Sequence, residues 1–277
     1  FFHAHPAPPA PLWSRGLGDV YKRQGGNEER GDPCLVLKGL SKEFGGLHAL
    51  SNLDLIAYPG DRLAIIGPNG AGKTTLFELI TGVFPPTRGQ ILLFQRDVTR
   101  WPTHRRIYLG MGRTCQITSL FPDLTVLENV VLAVQGIKRV KLTMHRFLTS
   151  FGDVYAKARG LLEQAALEDR WDAQVANLSH GEQRQVEVVM ALASDPKLIL
   201  LDEPTAGLSP AESTMMASML QKLDKKITML IIEHDMDVAF EIADRIAVLH
   251  YGELLAEGTK EEVRANQSVQ EIYLGGD

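Results

Sequence analysis

The chain has 277 residues, of which 44% are hydrophobic and 23% charged, with a formal net charge of −5. That length can bury a sizeable core, as one large domain with a smaller appended subdomain, and the acidic balance argues against nucleic acid as the main partner. Two cysteines, Cys34 and Cys115, cannot build a disulfide framework and fit a reducing compartment, and no apolar run approaches the ~20 residues of a membrane-spanning helix.

The first stretch stands apart. It begins with Phe1, is Pro-rich and then basic, shows no periodicity and lacks the long apolar core of a signal peptide. Its string SRGLGDVYKRQ looks like translated sequencing-adaptor read-through. Residues 1–32 are therefore expected to be a non-native or disordered tail, and residues 33–277 the folded domain.

From Cys34 the pattern becomes globular. CLVLKGLSKEF reads as a strand, and ALSNLDLIAY as a second in which Leu53, Leu55 and Ala57 alternate. DRLAIIG is a short unbroken apolar run, the pattern of a strand buried on both faces. A glycine-rich turn and a helix from Lys73 to about Thr81 follow, then GQILLFQRDV as one strand. Residues 117–180 read as mostly helical, including LTVLENVVLAV and DVYAKARGLLEQAAL; a helical subdomain over about 117–185 is expected. Ser179 and Glu182 have the spacing of a capping box, and Val186, Val189, Met190 and Ala193 share one helical face, so a helix starts here. Gly181 sits where backbone N–H groups at that start would be left bare.

Next come a strand at Leu198–Leu201, a helix from about Pro210 to Leu223 and a strand at Ile227–Ile232. DRIAVLHYGELLAEG reads as a hairpin turning at Tyr251-Gly252, and Thr259 with Glu262 forms a further capping-box pattern before the last helices. Strands alternating with helices predict an α/β fold, its sheet largely parallel, with a helical insertion near the middle.

Two motifs carry chemistry. GPNGAGKT, Gly67 to Thr74, matches the phosphate-loop pattern in full and lies between a buried strand and a helix, the context that confirms it. Gly67, Gly70 and Gly72, with Pro68, Asn69 and Ala71 between them, let the backbone curl until consecutive N–H groups point inward, and the helix beginning near Lys73 adds the positive end of its dipole. Lys73 reaches β- and γ-phosphates as a point charge, the Thr74 hydroxyl suits a Mg²⁺ ligand, and Thr75 can add a phosphate contact. In KLILLDEPTAGLS, four apolar residues run into Asp202 and Glu203, so a buried strand ends in two carboxylates. Asp202 suits a Mg²⁺-holding aspartate, and Glu203 is free to orient and deprotonate an attacking water.

With Lys73, Asp202 and Glu203 in place, residues 34–277 resemble the ATP-binding cassette (ABC) transporter ATPases. The resemblance implies a P-loop NTPase (RecA-like) core with an antiparallel β subdomain and an inserted helical subdomain. LSHGEQ is similar to the family's LSGGQ signature, with His180 and Glu182 as departures. Ser179 and Gly181 then stand where the family contacts the γ-phosphate of an ATP held by the opposite subunit. Gln116 matches the glutamine that senses Mg²⁺ and γ-phosphate, beside Cys115 where relatives often carry Phe. His234 matches the switch histidine on the γ-phosphate, and Phe44 the aromatic that stacks on adenine, though a packing role reads nearly as well from sequence. AGLS matches the D-loop, with Ser209 in place of the usual Asp.

FGGLHAL, ITSLFPDLTVLENV and VQEIYLGG look like the ATPase subunits of branched-chain amino acid importers. Urea-type importers and a lipopolysaccharide exporter are near alternatives. A non-transport cassette and an idle regulatory subunit are more distant ones. The implied cofactors are ATP and Mg²⁺. The implied partners are transmembrane permease subunits, a second ABC ATPase (a copy of this chain or a paralogue) and, indirectly, a periplasmic substrate-binding protein. The implied place is the cytoplasmic face of a bacterial inner membrane.

Overall fold

A computed structural model describes residues 31–114, 120–137 and 152–274. The expectations for residues 1–30, and for Cys115 and Gln116, lie outside the described residues. Strands β1 (Leu35–Phe44) and β2 (Leu47–Ala57) pair antiparallel, and β3 (Arg62–Ile66) is buried at every residue. Helix α1 runs Lys73–Thr81.

The stretch read as one strand, GQILLFQRDV, is a hairpin of β4 (Arg88–Leu93) and β5 (Arg96–Asp97). Phe94 and Gln95 both take positive φ, 48° and 65°, the backbone a two-residue reversal demands. Neither residue is a usual carrier of that conformation, so no turn signal marks it in the sequence. Two short elements have no sequence signal either: helix α2 (Thr103–Ile107) and strand β6 (Met111–Arg113).

Helices α3 (Val126–Ile137), α4 (Gly152–Gln164) and α5 (His180–Leu192) precede β7 (Leu198–Asp202). Helix α6 (Pro210–Lys222), β8 (Thr228–Ile232), α7 (Met236–Ile242), the hairpin of β9 (Arg245–His250) with β10 (Glu253–Gly258), α8 (Lys260–Ala265) and α9 (Gln267–Leu274) complete the described chain.

The strands form two sheets. One is antiparallel in the order β2-β1-β4-β5; the other runs β10-β9-β3-β8-β7-β6, parallel from β9 to β6 with β10 antiparallel on its edge. Period-two alternation sorts the core of the larger sheet. Leu198, Leu200, Leu230 and Ile232 face α1 and the antiparallel sheet, through Phe77, Leu35 and Leu50. Their neighbours Ile199, Leu201, Met229 and Ile231 face α5 and α6 and the α3–α4 pair, through Val186, Met216, Val130 and Leu161. On the expected face of α5, Val186, Val189 and Ala193 are buried and Met190 partly so. The antiparallel sheet, the parallel core and the helices between β6 and β7 are the parts of the implied P-loop NTPase architecture.

Candidate active site

In the larger sheet Ile65 of β3 stands opposite Ile232 of β8, and Ile232 opposite Asp202 of β7. The three strands are parallel, so the loops that leave them open on one edge, where ligands bind in open α/β sheets. Those loops carry residues 67–72, 233–235 and 203–209.

The loop after β3 is shaped by its glycines. Gly72 has φ of 100°, and a Cβ there would lie 2.6 Å from the Ala49 carbonyl oxygen; at Gly67 it would lie 2.2 Å from that of Leu249. Both contacts are with backbone of neighbouring strands, which cannot step aside. Gly72→Ala is therefore expected to destabilise the protein by about 1–3 kcal/mol, read by denaturant unfolding. Pro68 is half-buried, Ala71 is buried, and Asn69 and Gly70 face outward. The Ala71 carbonyl accepts from Gly252 N at 3.0 Å, tying the loop to the β9–β10 turn.

Helix α1 starts at Lys73 with Gly72 as N-cap, no side-chain cap and no acid in its first turn. Its first amides and the positive end of its dipole remain available to an anion. Thr74 is exposed and Thr75 half-buried at this end. Lys73 is buried, and its Nζ donates to the Gly67 and Pro68 carbonyls at 2.6 and 3.1 Å, so the ammonium spans the loop it belongs to. Burial lowers the Lys73 pKa, and the charges of Glu203 and Asp202 work against that fall. The cation and both carboxylates thus share one field.

Asp202 closes β7 and is 2% exposed. Among the described residues, the polar contact of its carboxylate is the Arg113 guanidinium, 3.5 Å from Oδ2, at the long limit of a hydrogen bond. Burial outweighs Arg113 and raises the Asp202 pKa. A buried carboxylate held by one long ion pair is costly unless a further charge completes it. With the exposed Thr74 hydroxyl, this donor set fits Mg²⁺, which takes one or two protein oxygens and fills its sphere with water and phosphate oxygens. Among the described residues no group of three or more His, Cys, Asp or Glu forms an all-protein metal cage.

Glu203 takes a left-handed backbone, φ 49°, and its amide donates to the Ile232 carbonyl at 3.0 Å. That conformation throws its side chain towards β8, where Oε1 meets His234 Nε2 at 2.5 Å. His234 is 43% exposed at its side chain, so the pair faces solvent. Lys73, Asp202, Glu203 and His234, from three loops, are brought together.

Ser179 and Gly181 form a second centre, and among the described residues no hydrogen bond or ion pair joins them to the phosphate loop. The capping box is complete: Glu182 N donates to Ser179 Oγ and Ser179 N to Glu182 Oε2, at 3.2 and 2.8 Å. The expectation of a bare amide at Gly181 is corrected. That N–H donates to Glu212 Oε1 of α6 at 3.0 Å, and the Glu212 side chain fills the space a Cβ at Gly181 would need. The amide and hydroxyl of Ser209, followed by the Gly181 amide, pull the Glu212 carboxyl down to about 2. Ser209 itself is the N-cap of α6, completing a box with Glu212, so the departure from Asp keeps a capping side chain. Ser209→Ala is expected to cost about 1 kcal/mol in thermal unfolding. His180 is exposed and faces the turn at Gly207.

Phe44 ends β1 and is 43% exposed as a residue, its ring edge-on to Phe84 at 5.2 Å and beneath the Lys42 ammonium at 4.8 Å. Sequence reasoning missed Glu212 and Glu233, the latter a buried acid whose side chain accepts from Thr205. The Ser209-x-x-Glu212 spacing could have disclosed the first; only an acid closing an apolar strand marks the second.

Residues 50–206 match the family model described as ABC transporter, and residues 253–277 that of the branched-chain amino acid ATP-binding cassette transporter. The chain is 37% identical over 250 residues to the high-affinity branched-chain amino acid transport ATP-binding protein LivG of Escherichia coli (strain K12), an alignment spanning 88% of this chain and 98% of that protein. Against the corresponding BraF of Pseudomonas aeruginosa the identity is 35%, with the same shares. Among solved structures, the ADP conformation of an ATP-binding cassette of an ABC transporter superposes with a TM-score of 0.76 at 31% identity, over 88% of this chain and 99% of that one. A dimeric cassette in a post-hydrolysis state bound to ADP and Pi gives 0.67 at 27% identity, over 82% and 98%.

Proposed function

This chain belongs to the ABC transporter family of ATP-binding cassettes, and on that premise we propose that it is the ATP-hydrolysing subunit of an importer of branched-chain amino acids. The observation that carries the reading is the meeting of Lys73, Asp202, Glu203 and His234 at the edge where three parallel strands end.

Each residue has a task set by its place. The curled 67–72 backbone and the uncapped end of α1 bind the phosphate tail, with Lys73 shifting its donation from loop carbonyls to phosphate oxygens. Thr75 adds a contact, and the half-exposed Phe44 ring takes the adenine. Thr74, Asp202 and Gln116 would hold Mg²⁺, whose charge would offset that building on the phosphate oxygens. Glu203 takes the proton of the attacking water, and His234 holds the γ-phosphate in line. Phosphoryl transfer is mostly positioning and charge neutralisation, which this residue set supplies.

Ser179 and Gly181 serve the γ-phosphate of an ATP in a second ABC subunit, a copy of this chain or a paralogue, so each site is completed across a two-fold axis. The described residues contain no helix long and apolar enough to cross a membrane. In this reading residues 33–277 work from the cytoplasmic face on permease subunits that span the membrane. A periplasmic binding protein delivers the substrate to those permeases.

Reconstitution tests this directly. The chain, assembled in vesicles with permeases and receptor from its own gene neighbourhood, should hydrolyse ATP and accumulate labelled leucine, isoleucine or valine. ATP-driven uptake of urea, or lipid export, would overturn the substrate; absence of hydrolysis would overturn the activity.

A further inference from the structure

Glu203 and His234 come from different strands, and their 2.5 Å contact requires the two loops to be held together. One tie is backbone: Glu203 N to Ile232 O, 3.0 Å. The other is a side chain. Glu233, next to His234, is only 2% exposed, and its Oε1 accepts from both the amide and the hydroxyl of Thr205, at 3.2 and 2.9 Å. Thr205 lies two residues beyond Glu203. One buried carboxyl therefore bridges the two segments that carry the Glu203–His234 pair.

The location makes the bridge more than packing. Glu203 sits in a left-handed backbone, which is strained for a non-glycine residue and persists only where the surroundings enforce it. Every residue of β8 before Glu233 is buried, so an apolar residue at this position would continue the run at no desolvation cost. An acid there stays buried because hydrogen bonds satisfy it, those from Thr205 and one from the His234 backbone. We propose that Glu233 is a positioning residue of the hydrolytic site: by gripping Thr205 it fixes the turn that aims the Glu203 carboxylate and holds it against His234.

Burial, chiefly, with Glu203's charge as a lesser cause, pushes the Glu233 carboxyl up to about 7. The oxygen that accepts from Thr205 is present whether the group is charged or neutral, so a glutamine amide can replace it.

The inference rests on the ATPase reading above, and steady-state hydrolysis together with equilibrium Mg–ATP binding by the full-length chain separates the two. Glu233→Ala should lower kcat by at least about tenfold, because small misplacement of catalytic groups is expensive, while nucleotide Kd stays within about twofold. Glu233→Gln should restore kcat to within about threefold of the parent. Thr205→Val, which keeps the shape and removes the hydroxyl donor, should lower kcat in the same direction, and it decides the matter with E233Q if E233A does not fold. Parental kcat in E233A or in Thr205→Val would overturn the proposal. So would equal losses of kcat and affinity, or a glutamine variant as slow as the alanine. If the parent does not hydrolyse ATP, the functional reading fails and takes this inference with it.

Discussion

Replacing Glu203 with glutamine is expected to leave a protein that binds Mg–ATP and does not turn it over. The substitution keeps the side chain's size and leaves an oxygen to meet His234 Nε2, so the turn and its contact survive. The backbone tie from residue 203 to Ile232 does not involve the side chain and is untouched. What is lost is the proton acceptor. A positioned general base contributes about 10²- to 10⁴-fold, and kcat should fall within that range. Affinity for ATP should hold or improve, because one negative charge near the γ-phosphate disappears while Lys73 and Asp202 remain. Single-turnover hydrolysis beside equilibrium nucleotide binding separates the two effects; hydrolysis at the parental rate would show that Glu203 is not the base.

Lys73→Ala should act on the other half of the reaction. In the structure the ammonium is buried and bound to the Gly67 and Pro68 carbonyls. Its removal deletes the point charge that meets the phosphates and also the tie that keeps the loop curled. A hydrogen bond to a charged group is worth about 1.5–3 kcal/mol, so nucleotide affinity should drop at least about 10- to 100-fold. The substitution also removes a cation that shares a field with Glu203 and Asp202, leaving Arg113 beside Asp202. Titration with a fluorescent nucleotide reads the loss, and unchanged affinity would contradict the phosphate-loop assignment.

The two centres are separate within one chain. Ser179 and Gly181 lie with Ser209 and Glu212, and the Gly181 amide is already engaged by the Glu212 carboxylate. This helix start is thus occupied, within a single chain, by a carboxylate of its own.

Much of this was legible along the chain. GPNGAGKT between an unbroken apolar run and a helix specifies a curled loop, because Gly72 and Gly67 leave no room for a Cβ and Lys73 opens the helix. Strand β2 was legible from the alternation of Leu53, Leu55 and Ala57, and the full burial of β3 from its unbroken apolar run. The capping box at Ser179 was legible because its partners are three residues apart. The β4–β5 reversal was not, since Phe94-Gln95 adopt a turn backbone that their own preferences do not announce and that β-pairing on either side imposes. Strand β6 is three residues long and gains its place from β7 beside it.

By itself the sequence determined the local geometry: a glycine loop opening α1, a strand ending in Asp202 and running into Glu203, a helix capped at Ser179. The tertiary structure alone decided the pairings between them. Glu203 meets His234 and Glu212 meets Gly181 across 31 positions, and Glu233 meets Thr205 across 28. Propensity and period act over a few residues, whereas these contacts exist only once β7 and β8 lie side by side and α5 rests against α6.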